Sequence, residues 1–306
     1  MEASPKDFLK LHFIVFLWGF TAILGNEITI PATDVVMYRT ALASIVLAGF
    51  MYLKSKTFQV SRADMMPLVL TGFIIAIHWF LFFESARVSN VSVSLAGMAT
   101  TTFWTSLIEP LFNKRKIRLF EVILGLVVIS GLYVIFRFEF NNALGLGLAM
   151  ASAFMAALFS VLNGKMTHKL SQYTITFYEM AAAAIGIAIF IPFYKYFFLA
   201  ETATYALPTT RDWGLLIILS VVCTVYAFSA SVELMKRITA YVVNLTINLE
   251  PVYGIILAVI IYGENEEMSP GFYYGTLIIL AAVLSYPVIR RSQRKALERK
   301  KKLGLG

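Results

Sequence analysis

The chain has 306 residues, of which 59% are hydrophobic and 14% charged, and its formal net charge is +8. Charged residues make up about 25% of a typical soluble domain, so this composition, with a mean hydropathy of +0.75, excludes a soluble globular fold. Lipid is predicted to be the main solvent of the protein.

Ten mostly apolar stretches follow one another along the chain. A helix of roughly 20 residues crosses the ~30 Å hydrocarbon layer of a bilayer, so each stretch predicts one transmembrane helix. No convincing small-residue cleavage site follows the first stretch, which we interpret as a retained helix rather than a signal peptide. The predicted spans, numbered one to ten, are residues 8–25, 34–53, 66–84, 90–112, 119–136, 143–163, 173–194, 213–234, 239–262 and 270–289.

The distribution of basic residues predicts the orientation, because cytoplasmic loops retain Lys and Arg. With the amino terminus in the cytoplasm, cytoplasmic segments hold all but five of the 26 basic residues. Both termini are then cytoplasmic, and the basic tail from Arg290 to Lys302 is expected to meet anionic lipid rather than nucleic acid. The five other basic residues are Arg39, Arg87, Arg137, Lys195 and Arg211.

The ten spans fall into two groups of five. Because five is odd, the second group enters the membrane from the opposite side, as in transporters built from inverted repeats. We therefore predict an all-α integral membrane fold of ten transmembrane helices, in which two inverted five-helix repeats, residues 1–140 and 141–290, surround a central cavity. Residues 291–306 form a basic cytoplasmic tail. Landmarks recur in the same order in both halves: Tyr38-Arg39 with Tyr178-Glu179, Glu84–Arg87 with Glu233–Lys236, and Gly125 and Gly131 with Gly275 and Ala281.

Three sequence elements carry a resemblance to a known family: Leu17-Trp18-Gly19-Phe20, the run from Glu84 to Asn90, and Leu249-Glu250-Pro251-Val252-Tyr253. With the Gly-x5-small pattern of spans five and ten, they resemble the ten-span EamA-type exporters of the drug/metabolite transporter superfamily. The resemblance implies a two-fold pseudo-symmetric basket whose cavity is lined mainly by spans one to four and six to nine, with spans five and ten at the periphery. It also implies export of amino acids, drugs or other metabolites from bacterial cells across the plasma membrane.

Glu250 is the strongest candidate site residue because it lies near the middle of span nine. An Asp, Arg or Lys at a helix centre costs roughly 2.5–3.5 kcal/mol on insertion scales, so a charge there needs a reason. Pro251 follows it, and a proline removes one helix hydrogen bond and clashes with the carbonyl of Ile247. The carboxyl is predicted either to bind substrate or a proton, or to hydrogen-bond a neighbouring helix at the bend.

Span nine has two polar faces. Glu250 and Tyr253 follow helical spacing on one side, whereas Asn244 and Asn248 lie on another, so only one of these faces is expected to meet a cavity squarely. The two asparagines are equally consistent with substrate binding and with helix linkage, for which each contributes less than about 2 kcal/mol.

Arg39 and Glu179 occupy matched positions of the two halves, at depths roughly 10 Å apart across the ~30 Å core. This separation argues against a direct salt bridge. Arg39 is predicted either to extend outward to the interface or to face the cavity and attract a substrate carboxylate. Glu179 is a candidate for binding a substrate amine or for coupling transport to protons.

Other candidates for a substrate site are Trp18, His78, Trp79 and Thr101. His78 has an unperturbed pKa near 6.5 and so is also a candidate coupling residue, although a lone histidine more often links helices. Thr101 is the repeat counterpart of Glu250. The hydroxyls of span four are expected to bond mainly to their own helix backbone.

No Gly-x4-Gly-Lys-Ser/Thr element and no metal-ligand spacing is present in the sequence, so neither ATP nor a metal is expected as a cofactor. We interpret the chain as a secondary transporter, an exporter of small amphipathic metabolites, with a monomer compatible with the pattern. Proton coupling through Glu250, Glu179 or His78 and facilitated diffusion fit equally well. The alternatives are a passive channel and a polytopic membrane transferase, which would need an acid/base cluster that the short basic loops lack.

Overall fold

A computed structural model describes residues 3–114, 116–138, 142–198, 207–263 and 269–302, and within these ranges every regular element is helical. Fourteen α-helices and one π-helical segment occur in this part of the chain. The first seven helices are α1 (Pro5–Gly19), α2 (Thr21–Glu27), α3 (Ala32–Leu53), α4 (Arg62–Val88), α5 (Val91–Met98), α6 (Thr101–Asn113) and α7 (Leu119–Phe138). The others are α8 (Ala143–Met166), α9 (Gln172–Phe198), α10 (Thr210–Ile217), the π segment (Ile218–Tyr226), α11 (Ala227–Leu234), α12 (Ala240–Ile247), α13 (Glu250–Tyr262) and α14 (Pro270–Lys302).

The helices reproduce the apolar stretches of the sequence. Eight segments of the described residues are long and apolar enough to cross a membrane, and shorter apolar helices, Leu119–Ile135 and Pro270–Ala282, occupy predicted spans five and ten. The prediction of an all-helical integral membrane protein is confirmed. The eight segments are Pro5–Glu27, Ala32–Leu53, Arg62–Val88, Val91–Asn113, Ala143–Met166, Gln172–Phe197, Thr210–Leu234 and Ala240–Tyr262.

Three of these segments are broken near their middle. The chain leaves the helix at Phe20 between α1 and α2, at Ala99 and Thr100 between α5 and α6, and at Asn248 and Leu249 between α12 and α13. The last break lies directly before Glu250-Pro251, where a proline was expected to loosen the helix because it has no amide hydrogen.

The segment Ile218–Tyr226 is wound as a π-helix. Within it, the Thr224 hydroxyl donates to the carbonyl of Leu219 over 2.9 Å. π-Helical turns are rare and often mark functional sites, and one side of this segment, with Leu219, Ser220, Cys223 and Thr224, is buried.

Helix starts and breaks recur in the two halves of the chain. Asn90 caps α5 through the amide of Val93, and Thr239 caps α12 through the amide of Val242. The distance in sequence from Asn90 to the break at Ala99 equals that from Thr239 to the break at Asn248. The fourth and ninth spans therefore have the same internal architecture.

Helices of the two halves pack directly on each other. Helix α3 packs against α9, α4 against α8 and α9, α5 against α13, and α7 against α14. At the α7–α14 crossing, a Cβ added to Gly131 would lie 2.8 Å from the carbonyl oxygen of Gly275. The absence of a side chain at Gly131 therefore allows α7 and α14 to pack this closely. This pair of helices lies away from the central cavity.

Polar contacts join the halves at both ends of the bundle. At the end that contains the amino terminus, Lys10 pairs with Glu233 and Arg237 with Asp7, each over 2.8 Å. At the opposite end, the Asp212 carboxylate accepts from the amide and the hydroxyl of Thr29, Lys195 pairs with Asp34 over 3.6 Å, and Arg211 pairs with Glu27.

Candidate functional site

A cavity lies in the middle of the bundle, where all three interrupted segments and the helix after the π segment meet. It leaves about 70 Å³ for the centres of water-sized molecules, enough for several waters, since one water needs roughly 10–15 Å³ by this measure. Its lining residues are Trp18, Thr21, Arg39, His78, Trp79, Phe82, Met98, Thr101, Ala156, Phe159, Ser160, Asn163, Phe228, Ser231, Val232, Met235, Asn244, Ile247 and Glu250.

Arg39 contributes a buried positive charge to this cavity. Its side chain is 2% exposed, its Nε donates to the Thr224 hydroxyl over 2.9 Å, and its guanidinium carbon lies 3.8 Å from the centre of the Trp79 ring. The terminal guanidinium nitrogens have no hydrogen-bond partner among the described residues. The expectation that Arg39 extends outward to the interface is wrong, because the ring and the π-helix hydroxyl hold it inside.

Glu250 contributes a carboxyl to the same cavity. It is 7% exposed and forms no hydrogen bond with any described residue. The interpretation of this residue as a hydrogen-bonded helix link is therefore not supported by its contacts. A carboxyl group at a helix start also meets the partial positive charge of the helix N-terminus, and Glu250 is the first residue of α13.

His78 faces the cavity but is anchored to α8. Its Nδ1 lies 3.0 Å from the Ser152 carbonyl oxygen, and the Ser152 hydroxyl donates to the His78 carbonyl over 2.8 Å. We assign Nδ1 as the protonated nitrogen because a carbonyl can only accept, which makes Nε2 the acceptor of the neutral ring. The contacts of His78 are thus those of a helix-linking histidine.

Aromatic rings form much of the remaining wall. The Trp18 indole donates to the Cys223 carbonyl over 3.0 Å, which turns its ring toward the cavity. Phe228 packs edge-on against Trp79 and tilted against Phe159. The cavity therefore combines a guanidinium group and a carboxyl group with apolar faces.

Asn244 lines the cavity and also ties three helices together. Its Nδ2 donates to the Thr105 hydroxyl over 2.8 Å, and its Oδ1 accepts from the Ser160 hydroxyl over 3.1 Å. Thr101 also lines the cavity, with its hydroxyl donating to the Met98 carbonyl of its own segment over 2.7 Å, as expected for span four.

Three predicted site residues do not line the cavity. Glu179 is completely buried behind Asn163, Asn248 donates to the Thr102 hydroxyl, and Tyr253 packs edge-on against Phe16. The seven that it brings together are Trp18, Arg39, His78, Trp79, Thr101, Asn244 and Glu250.

The face argument for span nine is wrong. It treats the helix as continuous, whereas the break at Asn248 and Leu249 resets the angular relation between the two halves of the span. Asn244 and Glu250 consequently both line the cavity, although a continuous helix assigns them to different faces.

Sequence reasoning missed Asn163 and several aromatic residues of the wall. The predicted end of span six was residue 163, but α8 continues to Met166, so Asn163 lies one turn inside the helix and faces the cavity. An amide near a span boundary gives little signal. Phe159 and Phe228 were hidden among the 25 phenylalanines of the chain.

A wider vestibule lies between the central cavity and the end of the bundle that contains the amino terminus. By the same measure it has a volume of about 710 Å³, and Met235 lines both spaces. Its rim carries an excess of positive charge, supplied by Lys165, Lys169, Lys236 and Arg237, with Asp64 and Glu109 also present.

A polytopic helical bundle with a buried, charged and aromatic cavity defines a membrane transport protein. A sequence profile of the EamA-like transporter family matches residues 9–137 and 143–286. The chain belongs to this family, and the family and its relatives are transporters rather than enzymes, as the sequence indicates.

Relatives in other organisms agree with this assignment. The chain is 23% identical over 301 residues to an uncharacterized transporter, YxxF, of Bacillus subtilis, covering 92% of this chain and 89% of that protein. It is 26% identical over 290 residues to an uncharacterized transporter of Archaeoglobus fulgidus, covering 92% and 97% respectively. A crystal structure with 14% identity matches 94% of this chain and all of that chain with a TM-score of 0.69, which supports the fold.

Proposed function

We propose that this protein is a secondary transporter that exports small amphipathic metabolites, and that its substrates are zwitterions with an apolar side group, such as apolar amino acids. The observation that carries the proposal is the presence of Arg39 and Glu250 in one cavity. Arg39 would bind a substrate carboxylate and Glu250 an amine, while Trp18 and Trp79 would pack on the apolar group. Unpaired donors on Arg39 and an unbonded carboxyl on Glu250 support these roles.

The transport cycle that we propose is alternating access between two inverted five-helix repeats, residues 1–140 and 141–290. The recurring caps and breaks of the fourth and ninth spans support the repeat. The central cavity is far smaller than the ~300–1,000 Å³ of ordinary small-molecule pockets, whereas the vestibule is within that range. Substrate would therefore enter through the vestibule, and the cavity would widen around it.

The orientation that we propose places both termini and the vestibule in the cytoplasm, in a bacterial plasma membrane. The basic rim of the vestibule supports it, because cytoplasmic surfaces of membrane proteins retain Lys and Arg. Entry from the cytoplasm corresponds to export.

The test uses purified protein in liposomes and three labelled probes that differ only in charge. Phenylalanine carries both groups, 3-phenylpropionate lacks the amine, and phenethylamine lacks the carboxylate. Wild-type protein is expected to transport phenylalanine faster than protein-free liposomes. Arg39→Gln should lower phenylalanine and phenylpropionate transport and spare phenethylamine, whereas Glu250→Gln should spare phenylpropionate.

Matched controls are Arg62→Gln and Glu84→Gln, because neither residue lines the cavity. Both are expected to transport phenylalanine like the wild type. Equal loss of all three probes in the Arg39 and Glu250 variants would contradict the assignment of carboxylate and amine. Comparison of metabolites released by cells with and without the protein tests the export direction, and no difference across broad classes would count against it.

A further inference from the structure

We propose that Glu179 and Asn163 form a proton-binding site behind the wall of the central cavity, in which one proton on Glu179 joins the carboxyl and the amide into a neutral pair. The inference deepens the proposed transport function by assigning the coupling ion and its site. It rests on buried hydrogen-bonding atoms that lack partners.

The two side chains touch through one hydrogen bond. The Asn163 Nδ2 donates to the Glu179 Oε2 over 3.4 Å, from α8 to α9. Both side chains are completely buried, with 0% exposure. Buried polar groups in proteins are nearly always satisfied, so any oxygen without a partner here requires an explanation.

Two oxygens of the pair lack partners. They are Asn163 Oδ1 and Glu179 Oε1, and neither has a hydrogen bond among the described residues. Both act only as acceptors when the carboxyl is ionised. A single proton on Oε1, donated to Oδ1, would satisfy both oxygens at once. Together with the bond from Nδ2, it would give the two parallel hydrogen bonds that a carboxylic acid and a primary amide form.

Within the described part of the chain, no charged group replaces that proton. The Glu179 carboxyl forms no ion pair there, and its one side-chain hydrogen bond is the bond from Asn163. An ionised carboxylate at this place would be buried without a compensating charge, which is strongly unfavourable. The charged groups on the helices that pack against α8 and α9 are engaged elsewhere or exposed. On α3, Arg39 contacts Trp79 and Asp34 pairs with Lys195.

On α4, Arg62 is exposed, Asp64 pairs with Lys169 and His78 contacts Ser152. Farther along α4, Glu84 accepts from Tyr194, and Arg87 donates to the carbonyls of Gly25 and Ile28.

On α8, Lys165 donates to the Phe112 carbonyl, and on α11, Glu233 pairs with Lys10. On α6, Glu109 lines the vestibule and has an interaction of its own.

The position of Asn163 connects this site to the transport path. Asn163 lines the central cavity, and its neighbours Leu162 and Gly164 line the vestibule. A hydronium ion in these spaces would transfer one proton to Glu179: an O–H bond of the hydronium breaks, the Oε1–H bond forms, and a neutral water molecule remains. Its release leaves a carboxylate that needs more donors, and the amide of Asn163 must reorient to supply them. Protonation of Glu179 would thereby change the cavity wall.

The first experiment needs no substrate. Infrared spectra of the protein in liposomes at neutral pH are compared in the region of the protonated carboxylic acid carbonyl stretch. The wild-type spectrum is expected to contain a component that Glu179→Gln lacks and that Asn163→Leu shifts to higher frequency, because the acid loses its acceptor. Glu250→Gln and Glu84→Gln should retain that component unshifted.

Absence of such a component at neutral pH would mean that Glu179 is ionised and would overturn the proposal. A component that Asn163→Leu leaves unshifted would also overturn it, because the proton would then not bridge the pair. Asn163→Leu keeps the carboxyl, so the test remains decisive if Glu179→Gln does not fold.

The second experiment measures coupling. Phenylalanine transport is recorded with equal pH on both sides and with a pH gradient. Glu179→Gln is expected to retain exchange at equal pH and to lose stimulation by the gradient completely. If wild-type protein shows no phenylalanine exchange at equal pH, the proposed substrate class is contradicted, and the infrared experiment alone decides on the proton site. If Glu179→Gln is still stimulated by the pH gradient, the proposed proton site is overturned.

Discussion

The guanidinium carbon of Arg39 lies 3.8 Å from the centre of the Trp79 ring and 5.8 Å from the centre of the Phe83 ring. This stacking holds a positive charge inside the bundle without an ion pair. Cation–π contacts contribute roughly 0.5–1 kcal/mol at exposed sites and about 2 kcal/mol or more when the cation is desolvated. The ring therefore stabilises the charge while leaving terminal nitrogens free for a ligand.

A double-mutant cycle measures this contact. Trp79→Leu is expected to lower the melting temperature of the detergent-solubilised protein more than Trp79→Phe, because leucine has no ring to face the cation. In an Arg39→Gln background, the difference between the two Trp79 variants should largely vanish. The same substitutions at Trp213, which packs edge-on against Tyr38, provide the control. Equal differences in both backgrounds at Trp79 would mean that the ring does not stabilise the charge.

Replacement of glycine by alanine is expected to affect the melting temperature differently at Gly72, where two helices approach closely, and at Gly49, where they do not. A Cβ at Gly72 of α4 would lie 2.5 Å from the Glu179 carbonyl oxygen, whereas a Cβ at Gly49 of α3 would meet nothing within 4 Å. Gly72→Ala should therefore lower the melting temperature because α4 and α9 must separate. Gly49→Ala should leave it unchanged or raise it, since alanine favours a helix by about 1 kcal/mol over glycine. A Gly72→Ala variant as stable as Gly49→Ala would show that the interface yields without cost.

The sequence was sufficient to predict the helices but not their interruptions. Apolar length identifies each span because every span must cross the same hydrocarbon layer. The breaks at Phe20 and at Ala99 and Thr100 have no proline beside them, so the sequence gives no proline signal there. The break before Glu250 is signalled by Pro251. The sequence does not show, however, that this break lets Asn244 and Glu250 line the same cavity.

The charged residues of the site were found for a different reason. Arg39, Glu179 and Glu250 are conspicuous because charge is rare in a span. Their positions were less predictable: the matched residues Arg39 and Glu179 lie in front of and behind the cavity wall, respectively. Whether a side chain of α3 or α9 reaches the cavity depends on the rotation of that helix about its axis. The other residues of these spans are mostly apolar on every side, so the sequence does not determine that rotation.

Replacement of Asn244 is expected to weaken the link between α12, α6 and α8. Asn244→Leu removes the bonds to Thr105 and Ser160. Polar links in membrane proteins average about 0.6 kcal/mol each, so the loss should be about 1 kcal/mol, measurable as a lower melting temperature. Asn248→Leu, which removes one bond to Thr102, should cost less. An unchanged melting temperature for Asn244→Leu, with transport lost, would assign Asn244 to substrate binding alone.

The polar contacts that join the halves at the two ends of the bundle predict opposite effects on opening. The chain has one cysteine, Cys223, which is buried in the π segment beside the Trp18 indole. Opening at the end that contains Asp212 would separate the π segment from α1 and α2 and expose this thiol to a membrane-impermeant maleimide. Asp212→Asn removes the charge that holds Thr29, so labelling of Cys223 should become several-fold faster than in the wild type.

Asp7→Asn weakens the pair with Arg237 at the other end and should slow the same labelling, because it favours opening toward the amino terminus. Cys223→Ser must abolish the signal, since no second thiol exists. Melting temperatures of both variants separate a shift in opening from general destabilisation, which would speed labelling in each. Faster labelling in both variants would mean that the contacts stabilise the bundle as a whole, whereas opposite changes require two ends that close alternately around the cavity that holds Arg39 and Glu250.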